Sequence, residues 1–424
     1  MKPLLITRGR IIDPGQRIDE VGNLLVADGK IGWMGREMPS IPEGCDVMSA
    51  EGLVVCPGFI DLHCHLREPG YEEKETIATG TRAAARGGFT TVCCMPNTKP
   101  AIDSPATVQY IRKKALEVGL VRVLSVGCVT KGRGGGELAD MEKLAASGVV
   151  GFSDDGDPVR GDEIMIQALT MSRRLALPII DHCEDPVGGP PEGEVKMVAR
   201  DLSLAAEVEG WVHIAHVSVA ASVELIRQAK RKGVKVTAEV TPHHLTLTEE
   251  AVTKCGTVAK VNPPLRTEED CRALVQALKD GTIDVIATDH APHTQADKEK
   301  PFGAASAGIS GFETALGSLM ALVRHGDLTL YQLISKLTFE PARLLGQKGA
   351  GLGTLAAGSA ADVVVFDAES QWTVDTADFA SKGKNTPLAA TVLKGKVLAT
   401  VMGGLIVHRD AHLSLKENAL VKST

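Results

Sequence analysis

Eight short apolar runs rich in β-branched residues punctuate the middle of this 424-residue chain and constrain its fold more than any other feature. They span 53–65, 89–97, 121–129, 149–155, 178–184, 211–218, 235–244 and 284–292. Segments of helical period separate them, as at 76–86, 104–118, 162–175, 219–231 and 267–279. Strands that are apolar on both faces belong to a parallel sheet covered by helices. Eight successive strand–helix units predict a closed (β/α)8 barrel. Such barrels keep their chemistry at the C-terminal ends of the strands, and this chain concentrates its polar residues there.

The flanks read differently. Residues 4–54 hold short alternating strands broken by turn signals such as Asp13-Pro14-Gly15 and Asp28-Gly29-Lys30, and residues 350–408 repeat the pattern. Both read as antiparallel sheet. The expected architecture is therefore α/β: a barrel over 55–349 beside a small β-sandwich built from 1–54 and 350–424, with the polar last dozen residues frayed.

Composition narrows the function classes. A hydrophobic content of 44% with 23% charged residues supports a large buried core. A net charge of -7 leaves no basic stripe for nucleic acid. No apolar run approaches the ~20 residues that a membrane span needs. The apolar stretch Leu4-Leu5-Ile6 is too short for a secretory signal. Nine cysteines, an odd count placed largely in apolar runs, predict reduced buried thiols and a cytoplasmic protein.

The first run closes on Asp61-Leu62-His63-Cys64-His65. Strand alternation puts His63, His65 and Arg67 on one face and Leu62 and Cys64 on the other. Two imidazoles so placed can grip one divalent metal, while Cys64 reads as buried filler. Further donors end four other strands: Ser153-Asp154-Asp155, Asp181-His182-Cys183-Glu184, His213 to His216, and Asp289-His290-Ala291-Pro292-His293. His213 and His216 are three apart and cannot share a strand face. His216 lies nearer the catalytic end, so it is the expected ligand and His213 a packing residue. Alternation does not choose between Asp154 and Asp155. Imidazoles and carboxylates converging from five strands on one rim predict a metal centre. By contrast, Gly132-Arg133-Gly134-Gly135-Gly136 lacks the Lys-Ser/Thr of a P-loop and reads as a flexible loop.

The segments 57–70, Met95-Pro96-Asn97-Thr98, 153–156, 181–184, His216-Val217-Ser218, 261–266 and 289–293 together resemble the dihydroorotases of the amidohydrolase superfamily, in the bacterial-type branch. The resemblance runs from about residue 3 to 408. It implies zinc-dependent, reversible cyclisation of N-carbamoyl-L-aspartate to L-dihydroorotate in pyrimidine biosynthesis. It implies His63 and His65 on one Zn2+, His182 and His216 on a second, Asp155 bridging both, and Asp289 on the first while acting as catalytic base. Where many relatives carry a carboxylated lysine, this branch has the aspartate seen here. Substrate contacts are implied for His65, Arg67, Asn97, Asn262, His293 and the backbone of Ala307 and Gly308. Two dications outweigh two carboxylates, so the centre suits an anionic substrate, and the Arg67 fork suits its carboxylate. A homodimer and association with aspartate transcarbamoylase are implied partners. The connection 185–197 is shorter than the family's usual insertion and would shape the rim.

Two other readings compete. A hydantoinase or allantoinase would share the His-x-His and the barrel; Asp155, Arg67 and the 289–293 ending favour dihydroorotase. A catalytically silent homologue serving as a partner of aspartate transcarbamoylase would have lost ligands, and none is missing.

Overall fold

In the computed structural model, residues 2–185, 189 and 191–417 are described. Strand β1 (Leu4–Asp13) is the branch point of a nine-stranded sheet. Strands β2 (Ile18–Ala27) and β3 (Lys30–Gly35) continue from one of its edges as an antiparallel meander. On the other edge, Leu4 to Thr7 pair in parallel with β4 (Asp46–Ser49), and Arg10 and Ile11 with β5 (Val54–Pro57). The expected boundary at residue 54 therefore shifts: Val54 to Pro57 belong to this sheet, not to the first barrel strand.

The barrel begins immediately afterwards. Gly58 marks the junction, because a Cβ there would collide with Thr90 on the neighbouring strand. Strands β6 (Phe59–Cys64), β7 (Phe89–Cys94) and β8 (Arg122–Ser125) pair in parallel. The fourth position is a single residue, Phe152, bridged to Gly127 and to Ile179. Strands β9 (Ile179–Asp181), β10 (Val212–Ile214), β11 (Val236–Val240) and β12 (Val285–Ile286) follow in parallel, and a bridge from His290 to Cys64 closes the ring. Ile60, Leu62, Cys93, Val126, Val150, Ile180, Ala215 and Val285 form one cluster although they come from seven different positions around the ring, so they fill its interior. Helices cover the outside and are ended by local chemistry. Thr76 and Thr79 form a capping box on helix Ile77–Arg86; Thr267 and Asp270 do so on Glu268–Asp280, which stops at left-handed Gly281.

After the barrel the chain rejoins the sheet. Strand β13 (Val363–Thr373) pairs antiparallel with β5, and β14 (Val392–Met402) and β15 (Leu405–Arg409) extend it. Both terminal segments thus share one branched, continuous sheet. Its buried side chains meet in one core, in which Leu4, Leu24 and Val26 pack with Val363, Val365 and Val401. Each such burial stabilises the joining by about 1.5–3 kcal/mol. The fraying expected of the last dozen residues does not hold for β16 (Leu415–Glu417), which pairs with β4. Residues 186–188 and 190 of the short connection 185–197 lie outside the described residues, as do 418–424.

Candidate active site

The C-terminal ends of the barrel strands carry the site, and backbone geometry there departs from regular strand. Between Asp61 and Cys64 the pairing of β6 with β7 slips by one residue. Leu62 consequently stays in the interior cluster while Cys64 joins the outer layer. Strand β6 ends at Cys64, so Arg67 reaches the site from a left-handed turn (φ 61) rather than by the alternation expected from the sequence. His216 (φ 31) and Asp289 (φ 44) are left-handed too. Non-glycine residues held in that region cluster at functional sites, where surrounding structure supports the strain.

Every site residue expected from the sequence comes together. His65, Arg67, Asn97, Asp155, His182, His216, Asn262, Asp289, His293, Ala307 and Gly308 line one cavity of about 190 Å3. His63 lies beneath it, fully buried. The pair left open by alternation is resolved by hydrogen bonding. Asp154 turns away and accepts from the Val129 and Thr130 amides at 3.0 Å, whereas Asp155 faces the cavity. Asp155 Oδ1 lies 3.4 Å from His63 Nε2, 3.4 Å from His182 Nδ1 and 3.6 Å from His216 Nε2, and its Oδ2 is 3.6 Å from His65 Nε2. It therefore stands between two histidine pairs. Asp289 Oδ1 joins the first pair, 2.9 Å from His65 Nε2 and 3.6 Å from His63 Nε2.

The donor set fits a cation. His63 Nδ1–H donates to Glu239 at 2.6 Å, which leaves the Nε2 lone pair facing Asp155. Both His63 Nε2 and Asp155 Oδ1 are buried without a hydrogen-bond partner among the described residues. Two acceptors so placed are reconciled only by a cation or a proton. In the second pair His182 Nδ1 and His216 Nε2 lie within hydrogen-bond reach of each other at 2.8 Å, both beside Asp155 Oδ1. His63, His65 and Asp289 offer ligand atoms all within 4.8 Å of one another, as do His63, Asp155 and His216. These are candidate metal-binding residues, with imidazole and carboxylate donors of the kind that zinc takes.

The electrostatics carry the same message. Burial alone would lower the His182 pKa, but the adjacent Asp155 and Glu184 carboxylates outweigh it and carry it up to about 10. His63 is also raised, against its burial, by the charges of Glu239 and Asp155. Burial would raise Asp289, but its hydrogen bond with His65 and the His63 and His65 charges hold it well below the ordinary carboxylate range. A region that draws protons onto buried imidazoles in this way also attracts a divalent cation.

Around this centre, His65 Nδ1–H donates to Asn97 Oδ1 at 2.9 Å, which leaves the Asn97 amide nitrogen to the cavity. Asn262 Nδ2 donates to Glu184 at 2.6 Å. His293 Nε2–H donates to the Ala307 carbonyl at 2.8 Å. Arg67 donates from Nε to the Pro292 carbonyl at 3.3 Å and has no carboxylate partner among the described residues. Its half-buried guanidinium faces the cavity, with Nη2 3.3 Å from His293 Nε2.

Three residues have roles that the sequence reading did not assign. Glu239, fully buried in β11, accepts the His63 Nδ1–H hydrogen bond and also lies 3.3 Å from His213 Nε2, so His213 supports the centre through Glu239 rather than merely packing. An acid inside the apolar run of β11 was the available signal. Asp61 accepts from the Thr288 amide and hydroxyl, both at 2.7 Å, and so anchors the turn that delivers Asp289. Glu184 orients both His182 and Asn262. Cys64 and Cys183 point away, to the Cys93 carbonyl and to Asp201, as free thiols; all nine cysteines are free and eight are buried.

Comparison with known proteins agrees with this geometry. Residues 54–398 match the Amidohydrolase family. The dihydroorotase of Anaeromyxobacter dehalogenans is 46% identical over 96% of this chain and 98% of its own length. That of Aquifex aeolicus is 45% identical over 97% and 100%, and that of Pelotomaculum thermopropionicum 47% over 96% and 99%. Among solved structures, the L-hydantoinase (dihydropyrimidinase) of Arthrobacter aurescens superposes with a TM-score of 0.89 at 25% identity, covering 98% of both chains. Barrel and sheet are common to both groups, whereas side-chain identity is far higher with the dihydroorotases. The chain belongs to the amidohydrolase family and, within it, to the dihydroorotases.

Proposed function

We propose that this protein is a dihydroorotase, interconverting N-carbamoyl-L-aspartate and L-dihydroorotate for pyrimidine synthesis with two Zn2+ ions per chain. One observation carries the substrate assignment: the Arg67 guanidinium, which has no carboxylate ion pair among the described residues, opens onto the same cavity as the histidine–carboxylate cluster. A cyclic amide bearing a carboxylate satisfies both. In this reading His63, His65 and Asp289 would hold one ion and His182 and His216 the second, with Asp155 as a donor shared by both sites. The bound ions supply an activated water at neutral pH and polarise the amide carbonyl.

The chain's own residues do the rest. Arg67 takes the substrate carboxylate, with Asn97, Asn262, His293 and the Ala307-Gly308 backbone setting the ring. In hydrolysis, the water oxygen bonds to the ring carbonyl carbon as the ring C–N bond breaks. Asp289, ionised beforehand, accepts the water proton and passes it to the departing nitrogen. Cyclisation is the reverse, starting from protonated Asp289. Cytoplasmic location, a homodimer and association with aspartate transcarbamoylase belong to the same reading. They rest on the family resemblance, and fractionation, light scattering and co-purification test them; no helix among the described residues is long and apolar enough to cross a membrane.

A hydantoinase is the second reading, favoured by the TM-score of 0.89 to the Arthrobacter aurescens enzyme. The discriminating experiment assays zinc-loaded protein on L-dihydroorotate, hydantoin and allantoin. Turnover confined to L-dihydroorotate is expected, and preference for hydantoin would overturn the substrate assignment.

A further inference from the structure

The chain between β13 and β14 returns to the barrel mouth and binds both pieces of backbone that wall the cavity on the His293 side. Asn385, only 4% exposed, uses its side-chain amide fully there. Its Nδ2 donates to the Ala291 carbonyl at 3.1 Å and to the Gly308 carbonyl at 2.9 Å. Its Oδ1 accepts the His293 amide at 2.9 Å and the Ser310 hydroxyl at 2.9 Å, and its own carbonyl accepts the Ser310 amide at 2.8 Å. Two residues earlier, Gly383 lies so close to Pro292 that a Cβ would sit 2.5 Å from the proline Cβ. Lys298 Nζ holds the Gly308 carbonyl from the other side at 3.0 Å. Between the two walls the ladder is a single bridge, His290 to Ile309. Side-chain hydrogen bonds therefore carry much of their relative placement.

We infer that Asn385 is a positioning residue for substrate: it locks His293 and the Ala307-Gly308 backbone at a fixed spacing without itself lining the cavity. As far as it concerns L-dihydroorotate, this rests on the function proposed for that cavity. An amide with two donors and two acceptor bonds in use has no substitute among the other side chains of its size. Asn385→Asp keeps the volume and the acceptors but loses both donors. Asn385→Ala removes four buried side-chain hydrogen bonds, and of the groups released only the Gly308 carbonyl keeps a partner named above, Lys298.

The test combines amide hydrogen exchange with kinetics on the zinc-loaded protein. In N385A, exchange across 289–311 is expected to accelerate about tenfold or more, while 59–65 and 179–183 keep their rates. KM for L-dihydroorotate is expected to rise about tenfold, with kcat within about threefold and bound zinc unchanged. If N385A does not fold, N385D decides by the same measurements. Unchanged exchange in 289–311 would overturn the inference. So would faster exchange throughout the barrel with loss of zinc, or local loosening with unchanged KM. Wild-type protein inactive on L-dihydroorotate would refute the proposed function instead, and the exchange comparison would still decide the role of Asn385.

Discussion

His63 and Glu239 meet at 2.6 Å, both fully buried, in a pairing that reaches across 176 residues of sequence. The carboxylate fixes which imidazole nitrogen carries the proton and so aims the Nε2 lone pair at the centre. Glu239→Gln is therefore expected to weaken zinc binding roughly 10- to 100-fold while the chain stays folded. Metal titration by calorimetry, with circular dichroism on the same sample, checks this. Unchanged affinity would show that His63 needs no such support.

Arg67 makes the complementary case on the substrate side. Arg67→Met removes a charge-assisted fork but none of the metal donors. Activity on L-dihydroorotate should fall roughly 10- to 200-fold, as expected for losing hydrogen bonds to a charged group. Bound zinc should stay at the wild-type level. Zinc loss in this variant would assign Arg67 to structure.

Chelation exposes a pH dependence that bound metal suppresses. In stripped protein His182 has a pKa of about 10 against its ordinary 6.5. A raised folded-state pKa stabilises the fold fully below pH 6.5, and that contribution is lost as pH rises through 10. Metal requires the neutral imidazole, so the loaded protein should lack this alkaline decline. Thermal melts of stripped and zinc-loaded protein from pH 6 to 10 test the difference, and parallel curves would count against His182 as a ligand.

With Asp289 as the proposed proton carrier, the reaction is expected to have a direction-dependent pH profile. Its pKa is depressed, so it is ionised at neutral pH and ready to accept a proton. Hydrolysis needs that ionised form and should fall as pH drops. Cyclisation starts from the protonated form and should fall as pH rises. Rates measured in both directions over one pH series check the opposite limbs. Identical limbs would remove Asp289 as the proton carrier.

These residues also show what the sequence can and cannot reveal. His63, His65, His182, His216 and Asp289 are legible because strand ends in a parallel barrel all open onto one rim. Arg67 was legible as a residue but not by its route. Alternation assumes a regular strand, whereas β6 slips by one residue and ends before it. Asp154 and Asp155 needed the loop at 129–130, whose amides claim Asp154. Glu239 stands out locally only as an acid in an apolar run, and the partners of Glu239 and Asn385, 176 and 92 residues away, are beyond what local patterning can identify. Likewise the fourth barrel strand survives only as the bridges of Phe152, although its apolar run reads like the others.

The central claim is that six side chains from five strand ends hold the ions on which turnover depends. Stripped protein titrated with Zn2+ while L-dihydroorotate hydrolysis is followed tests it most directly. The account predicts no turnover at the start and a rise that saturates at two ions per chain, abolished in Asp155→Ala. Full turnover in the stripped protein, or an unaltered titration in Asp155→Ala, would contradict it.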